Sequence, residues 1–170
     1  AAKDTPAGSD GVLFLPYLTG GTNDVKEATG CFLNMTLDTD QATLWHAVLE
    51  AIGYDYMEIT DLYRGAGVDM SRITITEGGS RSGIWNQMKS DMLGSEVITL
   101  KNAGGAVVTD CIVGAYALGH ITDMKAALTE SLEIKKLYYT NAENHDFYAK
   151  QYALQKKLVK QDMKEAFHTL

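Results

Sequence analysis

The stretch Ile73–Gly94 reads ITITEGGSRSGIWNQMKSDMLG. A β-branched run, Ile73–Thr76, gives way to a glycine pair, Gly78 and Gly79. A helix-like segment from about Ser82 to Leu93 follows, closed by Gly94. β-branched residues favour a pleated strand, and a glycine just past the last periodic residue favours a helix stop. The order is therefore strand, turn, helix. Two physical reasons put glycines at such a junction. Either the turn needs backbone angles that only glycine adopts cheaply, or a ligand lies so close that a Cβ would hold it away. The start of a helix carries unpaired N–H groups and the positive end of the dipole, so a bare backbone there favours an anion. The pattern is neither GxxxxGK[ST] nor GxGxxG, so the turn alone leaves both readings open.

Outward from this stretch, strands and helices alternate. Residues 1–11 (AAKDTPAGSDG) read as a loop, and VLFLPYL as a short strand that Pro16 confines to an edge or an end. TGGTNDVKEATG is a second loop and CFLNMTL a second strand. Asp38, Thr39 and Asp40 offer N-caps for a long helix. Its Leu44, Val48, Ile52, Tyr56, Ile59 and Tyr63 recur at helical spacing as a core-facing stripe, and Gly65 and Gly67 end it. EVITL is a further strand. A flexible loop with Gly104 and Gly105 leads to a small-residue helix, Cys111–Leu118, with Asp110 ahead of it as an N-cap or a polar loop residue; Gly114 and Ala115 there permit close packing. Residues 142–167 read as one long helix. The class is α/β.

The 170 residues suffice for one core and not for two large domains. No apolar run approaches the roughly 18–20 residues that span a bilayer. The chain does not open on a basic, then apolar, leader, and its first residue is not Met, so a trimmed piece of a longer protein is expected. Net charge is −7. The one dense basic run, KKLVKQDMK, is interleaved with apolar residues as on a solvated helix face, which argues against a nucleic-acid partner. Cys31 and Cys111 lack CxxC spacing and read as reduced, buried thiols of a cytoplasmic protein. His46, His120, His145 and His168 form no HxxxH pair, so no metal site is expected. Glu50, Asp55, Glu58, Asp61 and Asp91 read as solvated helix-face carboxylates, and none as a general base. Trp85 and Met88 read as core. Arg81 is either a phosphate partner or a surface arginine. Tyr138, Tyr139, Phe147, Tyr148 and Tyr152 read as a helix dock, with self-association as a homodimer if part of the cluster is exposed.

Four segments in order, GSDGVLFLPYLTG, GCFLNMTL with LWHAVLEAI, ITITEGGSRSGIWNQMKSDMLG and GAYALG, resemble landmarks of the C-terminal domain of the FGGY carbohydrate kinases, most closely the xylulokinase branch. The resemblance covers nearly the whole chain and loosens after about Leu128. It implies a ribonuclease-H-like, actin-like fold and transfer of the γ-phosphate of Mg2+-ATP to a sugar hydroxyl. Residues 1–170 would be the nucleotide-binding half, partnered by a sugar-binding N-terminal domain outside this chain. The resemblance carries Gly78 and Gly79 over as ATP or ADP contacts, with Ser80 next in the turn. Ser82 falls where many relatives hold the adenine with Asn. Glu77 stands where many have another glycine, and TGGTNDV replaces the family's GER element. The catalytic aspartate and the Gly-Thr-Ser phosphate loop belong upstream, so no catalytic residue is expected here. The implied substrate is a ketopentose such as xylulose. A kinase for another ketose or polyol, or a non-catalytic scaffold domain of the same fold, stand as alternatives.

Overall fold

The computed structural model describes residues 5–21, 26–102 and 104–163; the end of the expected tail helix with Phe167, His168 and part of TGGTNDV lie outside them. Two short strands, β1 (Leu13–Leu15) and β2 (Cys31–Leu33), pair antiparallel. Helix α1 (Gln41–Gly65) follows, and Asp40 caps it by accepting a hydrogen bond from the Thr43 amide at 2.8 Å. Then come β3 (Arg72–Ile75), the turn Gly78–Ser80, α2 (Gly83–Leu93) and β4 (Glu96–Leu100). The chain continues through α3 (Gly105–Ala117), α4 (Met124–Ser131), β5 (Ile134–Tyr138) and α5 (Ala142–Lys157). The tail does not stay one α-helix: a π-helical stretch, Leu158–Asp162, follows α5.

The second sheet is mixed, in the order β3-β4-β5. Strand β4 runs parallel to β3 and antiparallel to β5, with Arg72 opposite Glu96 and Val97 opposite Tyr138. β4 is the central strand, and Val97, Ile98, Thr99 and Leu100 are buried accordingly. The parallel β3–α2–β4 unit is what the strand-turn-helix reading required. β5 was not anticipated: IKKLY carries two lysines mid-run and lacks the β-branched signature. Its pairing with β4 overrides that local preference.

Helix α1 corrects the expected stripe. Its buried positions are Thr43, His46, Ala47, Glu50, Ala51, Gly53, Tyr54, Met57 and Thr60, while Tyr56, Ile59 and Tyr63 are exposed. The buried face is rotated toward small residues because α1 packs closely on β1 and α2. Ala47 and Ala51 sit against Val12 and Phe14, and a Cβ on Gly53 would run into the Met92 side chain. The main core joins Tyr54 and Met57 of α1, Trp85, Met88 and Met92 of α2, and Tyr148 and Tyr152 of α5. Trp85 and Met88 are thus core, and the aromatic cluster is a helix dock as expected, save Tyr139, which is exposed.

Other expectations fail for local reasons. Glu50 and Asp91 are only 3% exposed, because each carboxylate joins separate elements. Glu50 accepts from the Gly8 amide, the Ser9 hydroxyl and the Tyr148 hydroxyl. Asp91 accepts from Gln87, the Asn141 amide and the Asn144 side chain. Cys31 is half-buried and Cys111 exposed, because α3 buries none of its described residues. Gly114 likewise has open space where its Cβ would stand, so it serves no close packing. Asp110 lies within α3 and is not its cap.

Candidate functional site

The glycine turn sits at the carboxyl end of β3, beside the loop that follows the parallel strand β4. In open α/β sheets this end is where ligands gather. The backbone decides between the two explanations of the glycine pair. The residue in the left-handed region is Glu77, at φ 59°, while neither Gly78 nor Gly79 has a positive φ. A Cβ on Gly78 would meet nothing within 4 Å, and one on Gly79 would meet only the Lys89 ammonium nitrogen, at 3.7 Å. Neither turn geometry nor internal packing requires glycine at these two positions. What remains is the bareness of the backbone toward something outside.

The polar groups of the turn are sorted by direction. Its carbonyls are claimed from inside. The Glu77 oxygen accepts from the Ser80 amide at 3.1 Å and the Ser80 hydroxyl at 2.7 Å. The Gly78 oxygen accepts from the Arg81 amide at 3.2 Å. Lys89 Nζ donates to the Gly79 oxygen at 3.0 Å, and Asn86 Nδ2 donates to the Ser80 oxygen at 2.7 Å. The amides of Gly78 and Gly79 have no acceptor among the described residues. Unpaired donors just ahead of α2, together with the positive end of that helix, are groups of the kind that favour an anion.

Two grooves flank the turn. One, of about 360 Å³, is lined by Ser80, Arg81, Thr99, Lys101, Gly104 and Lys135. It brings three cationic side chains beside the turn, with Lys101 also paired to Glu133. The other, of about 440 Å³, is largely apolar and lies between α1 and β3, with Tyr56, Ile59, Tyr63, Ile73, Gly79 and Lys89 among its walls.

Of the residues singled out in the sequence, Gly78, Gly79, Ser80 and Ser82 stand together around the turn. Ser80 is buried with its hydroxyl turned to Glu77. Ser82 is exposed and caps α2, its Oγ accepting from the Trp85 amide at 3.3 Å. Glu77 turns across to α3, where its Oε1 accepts from the Ala106 amide at 3.2 Å. That carboxylate ties the turn to the start of α3, and Gly104 lines the polar groove. Lys89, Asn86, Lys101 and Lys135 escaped the sequence reading. For Lys89 a signal existed: it interrupts the apolar face Trp85–Met88–Met92, where a charge needs a reason. Among the described residues no group of three or more His, Cys, Asp or Glu is gathered to hold a metal. No described helix is long and apolar enough to cross a membrane.

The profile of the C-terminal domain of the FGGY family of carbohydrate kinases matches residues 1–118. The chain belongs to that family. It is 29% identical over 162 residues to a xylulose kinase from Staphylococcus epidermidis, covering 94% of this chain and 33% of that protein. It is 33% identical over 131 residues to a gluconokinase from Bacillus subtilis, covering 74% of this chain and 25% of that one. The fold matches that of a ligand-bound xylulose kinase from Lactobacillus acidophilus with a TM-score of 0.77 at 22% identity, over 99% of this chain and 34% of that one. The mixed-sheet α/β architecture is thus the ribonuclease-H-like, actin-like fold of the FGGY kinases. This FGGY domain spans about a third of the length of the relatives it matches.

Proposed function

We propose that this FGGY domain is the nucleotide-holding part of an ATP-dependent sugar kinase. Adenosine and the α-phosphate lie against Gly78 and Gly79, Ser80 and Ser82 border them, and the remaining phosphates extend toward Arg81, Lys101 and Lys135. The observation that carries this reading is the sorting of the turn's backbone: carbonyls satisfied inward, glycine amides left over, and no internal need for glycine. Such donors favour the charged oxygens of a phosphate over a neutral ligand. Mg2+ enters with the triphosphate, which supplies oxygen ligands of the kind that ion takes. The general base and the γ-phosphate clamp that phosphoryl transfer needs come from an N-terminal sugar-binding domain beyond this chain.

The acceptor in the intact, cytoplasmic enzyme is a ketopentose such as xylulose, which accords with the relative that covers most of this chain. Gluconate is the second reading, favoured by the 33% identity to a gluconokinase. The sugar is chosen by the other domain, so assay of the intact protein against xylulose and gluconate separates them. For the nucleotide reading, the test is thermal unfolding with and without ATP. The wild-type chain is expected to be stabilised by ATP, and Gly79→Val to fold equally well and show no response. Equal responses of the two proteins would refute the seat, and indifference of both would favour a scaffold domain.

A further inference from the structure

Among the described residues three charged side chains lie buried in the body of this domain: Glu50, Asp91 and Lys89. The two carboxylates are surrounded by donors that join separate elements. Lys89 differs. It is 4% exposed and has no acidic partner among the described residues. Its Nζ makes one hydrogen bond, to the Gly79 carbonyl at 3.0 Å, and lies 4.7 Å from the centroid of the Trp85 ring. Burial pushes its pKa down to about 8, so the ammonium form is retained at neutral pH against a desolvation cost. Trp85 and Met88 are apolar neighbours on the same helix, and a methionine or leucine at position 89 would continue that face without the cost.

Resting on the nucleotide reading above, we infer that Lys89 is a positioning residue for the anion seat. From beneath the turn it holds the Gly79 carbonyl inward and so steadies the turn that carries the glycine amides, and it adds a buried positive charge behind them. Two features make the ammonium suited to this. A peptide plane fixes its carbonyl and amide on opposite sides, so holding the oxygen of Gly79 orients the Ser80 N–H that bonds the Glu77 oxygen, and the Glu77 carbonyl in turn shares its plane with the Gly78 N–H. A charge in a desolvated setting acts over a few ångströms with little screening. Asn86 does the same for Ser80, one turn earlier on α2, and its Oδ1 is buried without a hydrogen-bond partner among the described residues. The turn is therefore held by two side chains of the helix that it starts.

The inference separates phosphate from nucleoside recognition, and calorimetric titration of ADP and of adenosine at pH 7 reads both. In Lys89→Met, ADP is expected to bind about tenfold more weakly than in wild type, the loss typical of one charge-assisted contact. Adenosine should bind within about twofold of wild type, and Lys89→Arg, which keeps charge and donor, should retain most of the ADP affinity. Unchanged ADP affinity in Lys89→Met, or equal weakening for ADP and adenosine, would overturn the role given to Lys89 and leave the nucleotide seat standing. Should Lys89→Met fail to fold, Lys89→Arg decides: ADP affinity within about threefold of wild type supports the role, and loss of ADP selectivity over adenosine overturns it. A wild-type chain that bound neither ligand would remove the nucleotide seat itself.

Discussion

At the scale of single residues, the left-handed conformation in the turn falls on Glu77, whereas the two glycines beside it have ordinary backbone angles. With ψ at −159° Glu77 stands in a region that is essentially glycine-only, where a residue with a Cβ costs about 1–3 kcal/mol, and the bond from the Ala106 amide to its carboxylate returns about 1 kcal/mol of that as a helix cap. Replacing Glu77 with glycine should therefore leave stability unchanged or raise it by up to about 2 kcal/mol, because relief of the backbone equals or exceeds loss of the cap. It also removes a negative charge from the edge of the groove that holds Arg81 and Lys101. Glu77→Gly is expected to raise ADP affinity several-fold with an unfolding temperature at or above that of wild type. A large drop in stability without tighter binding would contradict this accounting. The glycine pair was legible in the sequence, but its meaning was not. Only the φ values show that the turn does not need glycine where glycine stands.

At the scale of elements, α1 shows what periodicity can and cannot determine. Its existence, its Asp40 cap and its end near Gly65 follow from local signals that need no tertiary context. Which face is buried does not follow. Large apolar residues at Tyr56, Ile59 and Tyr63 imply one face, and the structure buries the neighbouring face, where Ala47, Ala51 and Gly53 allow β1 and α2 to approach. The deciding quantity is the distance between elements, which a single helix does not encode. The same holds for Glu50, read as a surface carboxylate until Gly8, Ser9 and Tyr148 converge on it from two other segments. Around it Gly8, Ser9, Asp10 and Gly11 all have positive φ, and the carboxylate fastens this left-handed turn to α1. Glu50→Ala removes the acceptor shared by three donors, two of them buried, and is expected to destabilise the fold by about 3 kcal/mol. Chemical denaturation checks this, and a loss below about 1 kcal/mol would show that water replaces the carboxylate.

Helix ends give a second case. Gly94 closes α2 at φ 58°, and a Cβ there would press on the His145 ring, which is bonded to the Asp91 carbonyl at 2.8 Å. Gly94→Ala should cost about 1–2 kcal/mol by combining left-handed strain with that contact. An unchanged unfolding midpoint would mean that α5 yields freely.

At the scale of the whole molecule, charge buried in the interior makes stability depend on pH with a computable sign. The Lys89 pKa is held near 8, below its ordinary 10.5. Between those values the unfolded chain keeps a proton that the folded chain has released, so stability rises as pH increases from about 8. Burial raises the pKa values of Tyr54, Tyr148 and Tyr152 above the ordinary 10.0. Above that pH the folded chain keeps protons that the unfolded chain loses, and stability falls. A maximum between pH 8 and 10 is expected in equilibrium unfolding, and Lys89→Met should lack the rising limb. A monotonic fall from pH 7 would contradict the burial of Lys89.

The same scale sets what this domain does alone. The described carboxylates nearest the turn are committed to structure: Glu77 to α3, and Asp91 to α2 and α5. Tested by itself, the domain is expected to hold ADP weakly and to transfer no phosphate to xylulose or gluconate. NMR reads the amides of Gly78 and Gly79 one by one. Titration of ADP into the 15N-labelled chain should move these two glycine amide signals in a saturable way, with those of Gly65 and Gly67 unmoved, and Gly79→Val should abolish the effect. Saturable shifts elsewhere with Gly78 and Gly79 unaffected would contradict the account.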